Sequence, residues 1–172
     1  MSGKYKKTLL PALLIFWSYG ASAQTSDCII AAARCFQINP LLIKAIIWQE
    51  SQNNQGSVNN NKNHTIDVGV MQINSIHFKA LKLKGISEED LRQNSCINVF
   101  SGTWILKDAV KRNGYTWQGV GNYHSGLPSY QIRYVRGLIN IIRKHPDKLV
   151  ALKTEHPYSE AIGKKFQCET QN

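Results

Sequence analysis

The apolar positions of the chain recur mostly at the three- and four-residue spacing of an amphipathic helix, and no segment alternates apolar and polar residues as a β-strand does. This pattern predicts helices at about residues 27–37, 40–50, 75–83, 96–112 and 129–144, with another beginning near Trp117. Asn39 and Pro40 are a typical N-cap and first helical residue, Gly114 is a typical C-terminal cap, and Pro146 ends the last helix. The predicted fold class is therefore mainly α.

Polar segments mark the turns between the predicted helices. The asparagine-rich segment at residues 52–64 cannot bury much surface, so we expect a surface loop or a short ribbon there. Ser75 is expected to cap the helix that follows it, and Ser87 opens a sequence that resembles a capping box. The chain is long enough for one domain with a hydrophobic core, which we place at 24–146, followed by a charged, weakly periodic tail at 147–172.

The N-terminus has the pattern of an export signal. Basic residues precede an apolar stretch at residues 9–19, and Ala21-Ser22-Ala23 offers a small-residue cleavage site. We therefore predict a signal peptide at 1–23 and a mature chain that starts near Gln24. The apolar stretch is shorter than the roughly 20 residues of a membrane span. An uncleaved N-terminal anchor is the alternative.

The charge of the chain narrows the class of partner. Removing residues 1–23 removes three lysines and no acid, which lowers the formal net charge from +10 to +7. A basic domain can attract nucleic acid, anionic lipid or an acidic wall polymer, or simply present a solvated surface. Export and the lack of interleaved aromatic and basic residues argue against nucleic acid.

The cysteines predict disulfides. All four, Cys28, Cys35, Cys96 and Cys168, lie after the predicted cleavage site. An even number in an exported chain indicates bridges, with three possible connectivities. On one continuous helix the α-carbons of Cys28 and Cys35 would be about 10 Å apart, beyond the roughly 7 Å limit of a disulfide. Each must then pair elsewhere. Metal binding is not supported, because no C-x-x-C or H-x-x-x-H spacing occurs.

Glu50 is the most informative single residue. It follows Ile43, Ile46 and Ile47 at helical spacing, so its carboxyl group falls on the face that the isoleucines bury. Burial raises the pKa of a carboxyl group, and a proton held near neutral pH is what a general acid needs. Lysozyme is the usual example of a catalytic carboxyl group whose pKa is raised by apolar surroundings. The alternative is a glutamate that reaches water at the helix end.

A second carboxylate follows the polar segment. Asp67 lies directly before residues 68–74, and two carboxylates at one cleft are the usual equipment for glycoside hydrolysis. Asp67 could stabilise a developing cation, act as a nucleophile, or be an ordinary loop aspartate. Gly69 can permit close backbone approach, whereas Gln72 and Asn74 offer polar groups to a sugar.

Three short motifs, in order, resemble a known family. Glu50-Ser51, the G-V-M-Q-I-N segment at 69–74 and the G-N-Y-H-S-G segment at 121–126 are similar to the E-S, G-L-M-Q-I and A-Y-N-A-G segments of soluble lytic transglycosylases. The resemblance covers about residues 27–144 and implies a goose-type lysozyme-like helical domain. The small size and the cysteines look most like the specialised members that accompany type III and type IV secretion systems, conjugation machinery and type IV pili.

The resemblance implies that Glu50 is the sole acid/base. It would protonate the glycosidic oxygen between N-acetylmuramic acid and N-acetylglucosamine, and the substrate's N-acetyl oxygen would trap the developing cation. The ionised carboxylate would then deprotonate the muramic C6 hydroxyl, which gives a 1,6-anhydro end. One carboxyl group that serves first as acid and then as base is chemically consistent, and no metal or cofactor is needed.

Further site residues follow from the same resemblance. Ser51 would orient the catalytic glutamate, and Met71, Gln72 and Tyr123 would line the cleft. Without the resemblance, Met71 would by default be a core residue. Tyr134 could also reach the site, or be a core tyrosine with a satisfied hydroxyl.

The sequence departs from the family pattern at three positions. His124 stands where the family has asparagine, which allows a hydrogen-bonding role or a titration near neutral pH. Val70 replaces a leucine. Asp67 is present where many transglycosylases lack a second cleft carboxylate, so a lysozyme-like hydrolysis remains an alternative outcome.

The expected biology is likewise implied by the resemblance. Cys28 and Cys96 match the family's usual pair, which leaves Cys35 and Cys168 for a second bridge. We expect a periplasmic, monomeric enzyme that acts on peptidoglycan glycan strands beside a secretion, conjugation or pilus apparatus. A muramidase that uses Glu50 and Asp67, and a non-catalytic wall-binding assembly protein, are the alternatives.

Overall fold

The computed structural model describes residues 27–168, and the predicted signal peptide lies outside this range. The helices are α1 (Cys28–Phe36), α2 (Pro40–Ser51), α3 (Phe78–Lys82), α4 (Glu88–Gln93), α5 (Ser95–Asn113), α6 (Trp117–His124), α7 (Pro128–Lys144), α8 (Pro146–Ala151) and α9 (Glu160–Lys165). The strands are β1 (Val58–Asn60), β2 (Ile66–Val68) and β3 (Ile73–Asn74), and a 3-10 turn at Ser75–His77 precedes α3. The prediction of a mainly helical domain with a small ribbon is confirmed. Within residues 27–168, every helix is too short or too polar to cross a bilayer.

Capping side chains set several helix boundaries where the sequence predicts them. Asn39 accepts a hydrogen bond from the backbone N–H of Leu41 at 2.8 Å, and Ser87 and Asp90 form the predicted capping box at the start of α4. The prediction for Ser75 was wrong, because the side chain of Asn74 caps the turn instead, accepting from the backbone N–H of Ile76 at 3.0 Å.

The asparagine-rich segment enters a small antiparallel sheet in the order β1-β2-β3. Its register places Asn59 opposite Asp67, and Asp67 opposite Asn74. These three polar residues therefore cross the sheet in one row, because directly opposed residues of neighbouring strands lie on the same face. The strands are two or three residues long, which is too short for a visible alternation in the sequence.

Helix α5 lies at the centre of the fold and packs against α1, α4 and α6. Its buried face includes Phe100 and Leu106, and the buried face of α2 includes Ile43, Ile46 and Ile47, all with no exposed surface. Burial of each such side chain contributes about 1.5–3 kcal/mol relative to exposure. The apolar face of α2 that the sequence predicts is thus a core face.

A buried amide on α5 fixes the turn between β2 and β3. The side chain of Asn98 donates to the carbonyls of Val68 and Leu91 at 2.9 and 3.0 Å, and accepts from the backbone N–H of Met71 at 2.9 Å. Gly69 has φ +76°, and a Cβ there would collide with the Asn98 amide. The close approach that this glycine permits is therefore to α5, and a side chain at residue 69 would push the turn away.

Two disulfides cross the domain. Cys28 pairs with Cys96 and Cys35 pairs with Cys168, with α-carbons 5.6 and 5.2 Å apart. Both pairings that the resemblance implied are present. The first joins α1 to α5, and the second joins α1 to the end of the described chain.

The segment at 146–168 folds back onto the domain. Its apolar side chains enter the common core, where Phe166 packs edge-to-face on Phe36 and Tyr158 stacks on Phe100 at 5.5 Å between ring centroids. It also covers the outer side of α2, because the ammonium group of Lys148 lies over the Trp48 ring at 4.9 Å. The weak periodicity of this segment reflects two helices of six residues each, which are too short to show a stripe.

The Cys35–Cys168 disulfide is expected to stabilise the fold. Its cysteines are 133 residues apart in sequence, so the bridge removes much conformational freedom from the unfolded chain. Replacing both cysteines with serine should lower the free energy of unfolding by about 2–4 kcal/mol, measured by urea unfolding. Intact mass after alkylation should show that Cys28–Cys96 still forms. An unchanged unfolding free energy would contradict the expectation.

Candidate active site

Glu50 lies in the last turn of α2, one helical turn beyond the buried isoleucines. The residue is only partly exposed. Burial raises the pKa of its carboxyl group from 4.5 to about 7, and burial is the largest of the effects that act on it. The carboxyl group can therefore hold a proton near neutral pH.

Tyr134 on α7 is the direct partner of this carboxyl group. Its hydroxyl donates to Oε1 of Glu50 at 2.7 Å, which favours the ionised form and opposes the effect of burial on the Glu50 pKa. The tyrosine is 6% exposed, and burial and the glutamate raise its own pKa, so it stays a donor. Within residues 27–168 the other oxygen, Oε2, has no hydrogen-bond partner and is not completely enclosed by the protein. Oε2 is therefore the carboxyl oxygen that solvent can still reach.

Asp67 is held in the middle of the small sheet. Its Oδ1 accepts from the side-chain amide of Asn74 at 2.6 Å, and its Oδ2 accepts from those of Asn61 and Asn59 at 2.8 and 3.3 Å. Its negative charge further raises the pKa of Glu50. The carboxylate thus acts on Glu50 through its negative charge, while both of its oxygens accept hydrogen bonds from residues in and beside the sheet.

The side chains of Ser51 and of the polar residues in the G-V-M-Q-I-N segment also form hydrogen bonds within the protein. Ser51 does not bond Glu50; its hydroxyl donates to the carbonyl of Val70 at 2.8 Å and so ties the end of α2 to the turn. The amide of Gln72 donates to the carbonyls of Ser57 and Gly69 at 3.1 and 2.9 Å. Together with the bonds of Asn74, these contacts fix the backbone beside Glu50.

Met71 contributes its backbone to the site. Its side chain is fully buried and fills the space above Gly102, where a Cβ would come within 2.6 Å of the sulfur. Its carbonyl accepts from the hydroxyl of Tyr123 at 2.8 Å. Tyr123 lies beside Tyr134, with ring centroids 6.5 Å apart, so the two tyrosines form a wall from α6 to α7 next to Glu50.

The structure adds residues that the sequence analysis did not assign to the site. Asn59 and Asn61 hold Asp67. Asn59 is placed by the strand register, which sequence periodicity did not reveal, and Asn61 by the turn that follows β1. Gln49 donates to the backbone carbonyl of Tyr134 at 3.2 Å. It packs so closely on Gly137 that a Cβ there would overlap its amide, so α7 lies directly against the α2 turn that carries Glu50.

The arrangement suits proton transfer by one carboxyl group. Glu50 combines a pKa near neutrality, an oxygen that solvent can reach and a tyrosine donor that stabilises the ionised state. Among residues 27–168, no three His, Cys, Asp or Glu side chains come together as a metal site would require.

Comparison with known proteins agrees with this geometry. Residues 27–134 match the model of the transglycosylase SLT domain. The chain is 40% identical to the invasion protein IagB of Salmonella typhimurium, over 66% of this chain and 71% of that protein. It is 36% identical to an X polypeptide of Escherichia coli, over 71% of each chain. It is also 38% identical to a putative peptidoglycan-binding-like protein of E. coli K12, over 69% of this chain and 87% of the relative.

Ionisation of Glu50 should destabilise the folded protein. The folded carboxyl group binds its proton more tightly than the unfolded chain does, so stability is lost as the pH rises from about 4.5 to about 7. Glu50→Gln should therefore be more stable than the wild type above pH 7, by up to about 3 kcal/mol, and the difference should vanish below pH 4.5. Urea unfolding at pH 4, 6 and 8 measures this, with the exposed Glu155→Gln as control. A difference that does not change with pH would contradict burial as the cause.

Proposed function

The chain belongs to the transglycosylase SLT domain family and is a peptidoglycan lytic transglycosylase; from this premise we propose that Glu50 is its only acid/base and that the product carries a 1,6-anhydromuramic end. The observation that carries the proposal is the state of the Glu50 carboxyl group. Its pKa is about 7, its Oε1 accepts from Tyr134, and its Oε2 is unpaired and not completely enclosed.

The proposed reaction has two proton transfers on that carboxyl group. Protonated Glu50 first donates to the glycosidic oxygen as the bond to the muramic C1 breaks, and the substrate's N-acetyl oxygen bonds to C1. The carboxylate then takes the proton of the muramic C6 hydroxyl, and O6 replaces the N-acetyl oxygen at C1. The proton returns to Glu50 and no water is consumed. The Tyr134 hydroxyl stabilises the carboxylate between the two steps.

Asp67 is proposed to act through its charge. Both oxygens of Asp67 accept hydrogen bonds from asparagine amides in and beside the sheet, which fix the position of the carboxylate near Glu50. Its negative charge adds to the larger effect of burial in raising the pKa of Glu50, and would stabilise positive charge that develops at C1. The row of amides thus orients a charged group toward the site, and product analysis separates transglycosylation from hydrolysis.

The remaining predicted site residues divide by what they contact. We propose that Ser51, Gly69 and Met71 shape the cleft by fixing its backbone, because their side chains or positions are occupied within the protein.

Gln72, Asn74 and Tyr123 are proposed to line the cleft where the glycan strand binds. All three are only partly buried, and each has a hydrogen bond that fixes its orientation.

The setting of the enzyme is also proposed. We infer that it is exported by the signal peptide at 1–23, acts as a monomer in the periplasm and opens the wall locally for a secretion, conjugation or pilus apparatus. Two disulfides suit an oxidising compartment. Relatives named as an invasion protein and as peptidoglycan-binding-like support a role at the wall. The basic charge of the chain suits an acidic wall polymer.

Product analysis tests the proposed reaction. Purified peptidoglycan digested in H₂¹⁸O should give muropeptides with 1,6-anhydromuramic ends and no ¹⁸O, measured by mass spectrometry. Glu50→Gln should lower the rate by about 10²-fold or more, since it removes general acid and base together.

The control for that measurement is Glu155→Gln, which changes an exposed carboxyl group and should digest the wall like the wild type. Near-UV circular dichroism should show that Glu50→Gln is folded. Reducing ends that carry one ¹⁸O would instead identify a muramidase, and no product from a folded wild type would favour a wall-binding scaffold.

The role of Asp67 has a separate test. Asp67→Asn removes the negative charge that raises the Glu50 pKa, so the loss of activity at high pH should begin at a lower pH. The product should keep its anhydro end. A pH–rate profile with product analysis measures both. Complete loss of cleavage in a folded Asp67→Asn protein would place Asp67 in bond making and would contradict the proposal.

A further inference from the structure

His124 occupies the last position of α6, where the sequence departs from the family motif. Its ring lies flat on the ring of Tyr134, with centroids 4.5 Å apart and planes 5° from parallel. This is the closest and most parallel contact among the aromatic pairs of the described chain. An asparagine, as in the family motif, could not make it, because it has no ring.

The stack leads directly to the catalytic carboxyl group. Tyr134 is almost fully buried although His124, which lies on it, is exposed. The histidine is therefore the layer between solvent and the tyrosine that donates to Glu50 at 2.7 Å. Gln49 fixes the backbone of Tyr134 through its carbonyl, but the ring itself is covered on this side by His124.

We propose that His124 is a positioning residue, whose neutral ring covers Tyr134, excludes water from the Tyr134–Glu50 hydrogen bond and so sets the pH range over which Glu50 can act as an acid. The inference rests on the proposed role of Glu50. It concerns a position that Glu50 does not touch, since His124 acts through the tyrosine.

The groups that face Glu50 come from three elements packed around it. Tyr134 on α7 donates to it, Tyr123 on α6 lies nearby, and Asp67 on β2 adds a negative charge. Burial lowers the pKa of His124, and Asp67 opposes that shift. The ring is thus neutral at neutral pH; a positive charge there would favour the ionised form of Glu50 and remove the acid.

Two substitutions distinguish the effect of the His124 ring from the effect of its nitrogen atoms. His124→Phe keeps a flat ring on Tyr134, whereas His124→Asn restores the family residue and removes the ring. Gln118→Ala, at an exposed position of the same helix, is the matched control. All variants are made in the mature chain that starts near Gln24.

The Glu50 titration is read by NMR of ¹³C-labelled glutamate carboxyls, with its resonance identified by its loss in Glu50→Gln. His124→Phe and Gln118→Ala should titrate like the wild type. His124→Asn should titrate about one pH unit lower, since water would then reach the carboxyl group. At pH 7 the variant would then have about one-fifth as much protonated Glu50 as the wild type. Wall digestion should therefore slow by about fivefold, with kcat affected more than KM.

Two results would overturn the inference. Glu50 could titrate alike in all three variants, which would show that the ring does not control access of water. His124→Phe could instead shift with His124→Asn, which would assign the effect to an imidazole nitrogen. Because the NMR titration does not depend on turnover, a shift without transglycosylase products would refute the proposed function and leave the positioning role intact.

Discussion

A carboxyl group that must hold a proton near neutral pH has to be kept out of water, yet a fully enclosed one could not reach a substrate. The structure meets both requirements at one end of α2. The isoleucine face and the tyrosines remove water from most of the Glu50 side chain, and one carboxyl oxygen remains within reach of solvent. Burial favours the protonated form and the Tyr134 hydroxyl favours the ionised form, so the pKa of Glu50 lies near neutrality.

Two kinds of contact surround this carboxyl group, apolar packing on one side and hydrogen bonds on the other. On one side the contacts are largely apolar, because the buried isoleucines of α2 hold the helix and the rings of Tyr123 and Tyr134 lie next to Glu50. On the side of the small sheet, hydrogen bonds fix the polar groups: Asn98 holds the turn and the asparagines hold Asp67. The apolar side removes water and the polar side places a negative charge nearby. Both effects favour the protonated form of Glu50.

Much of the helical fold could be predicted, because helix signals are local. Asn39 and Gly114 cap helices where their sequence context predicts it. Glu50 could be singled out because three buried isoleucines at helical spacing fix the direction of its side chain. The small sheet and the helices after Pro146 are too short to show a periodicity.

The contacts of the site depend on distant parts of the chain, and single-sequence patterns do not report them. Asn98 is one polar residue on an apolar helix face, and nothing local shows that it holds a turn 27 residues earlier. The stack of His124 on Tyr134 depends on how α6 and α7 pack. Met71 was expected at the cleft from a motif, whereas its side chain is core and its carbonyl faces Tyr123.

The order of the disulfide partners constrains how the chain can fold. The two bridges interleave along the sequence, because Cys35 lies between Cys28 and its partner Cys96 but pairs with Cys168. As the chain emerges N-terminus first, Cys28 and Cys35 are together long before either partner appears. Once α1 forms, its length holds their α-carbons about 10 Å apart, too far to bridge. The folded nine-residue helix thus excludes a Cys28–Cys35 bridge, and both native bridges can be complete only after Cys168 has emerged.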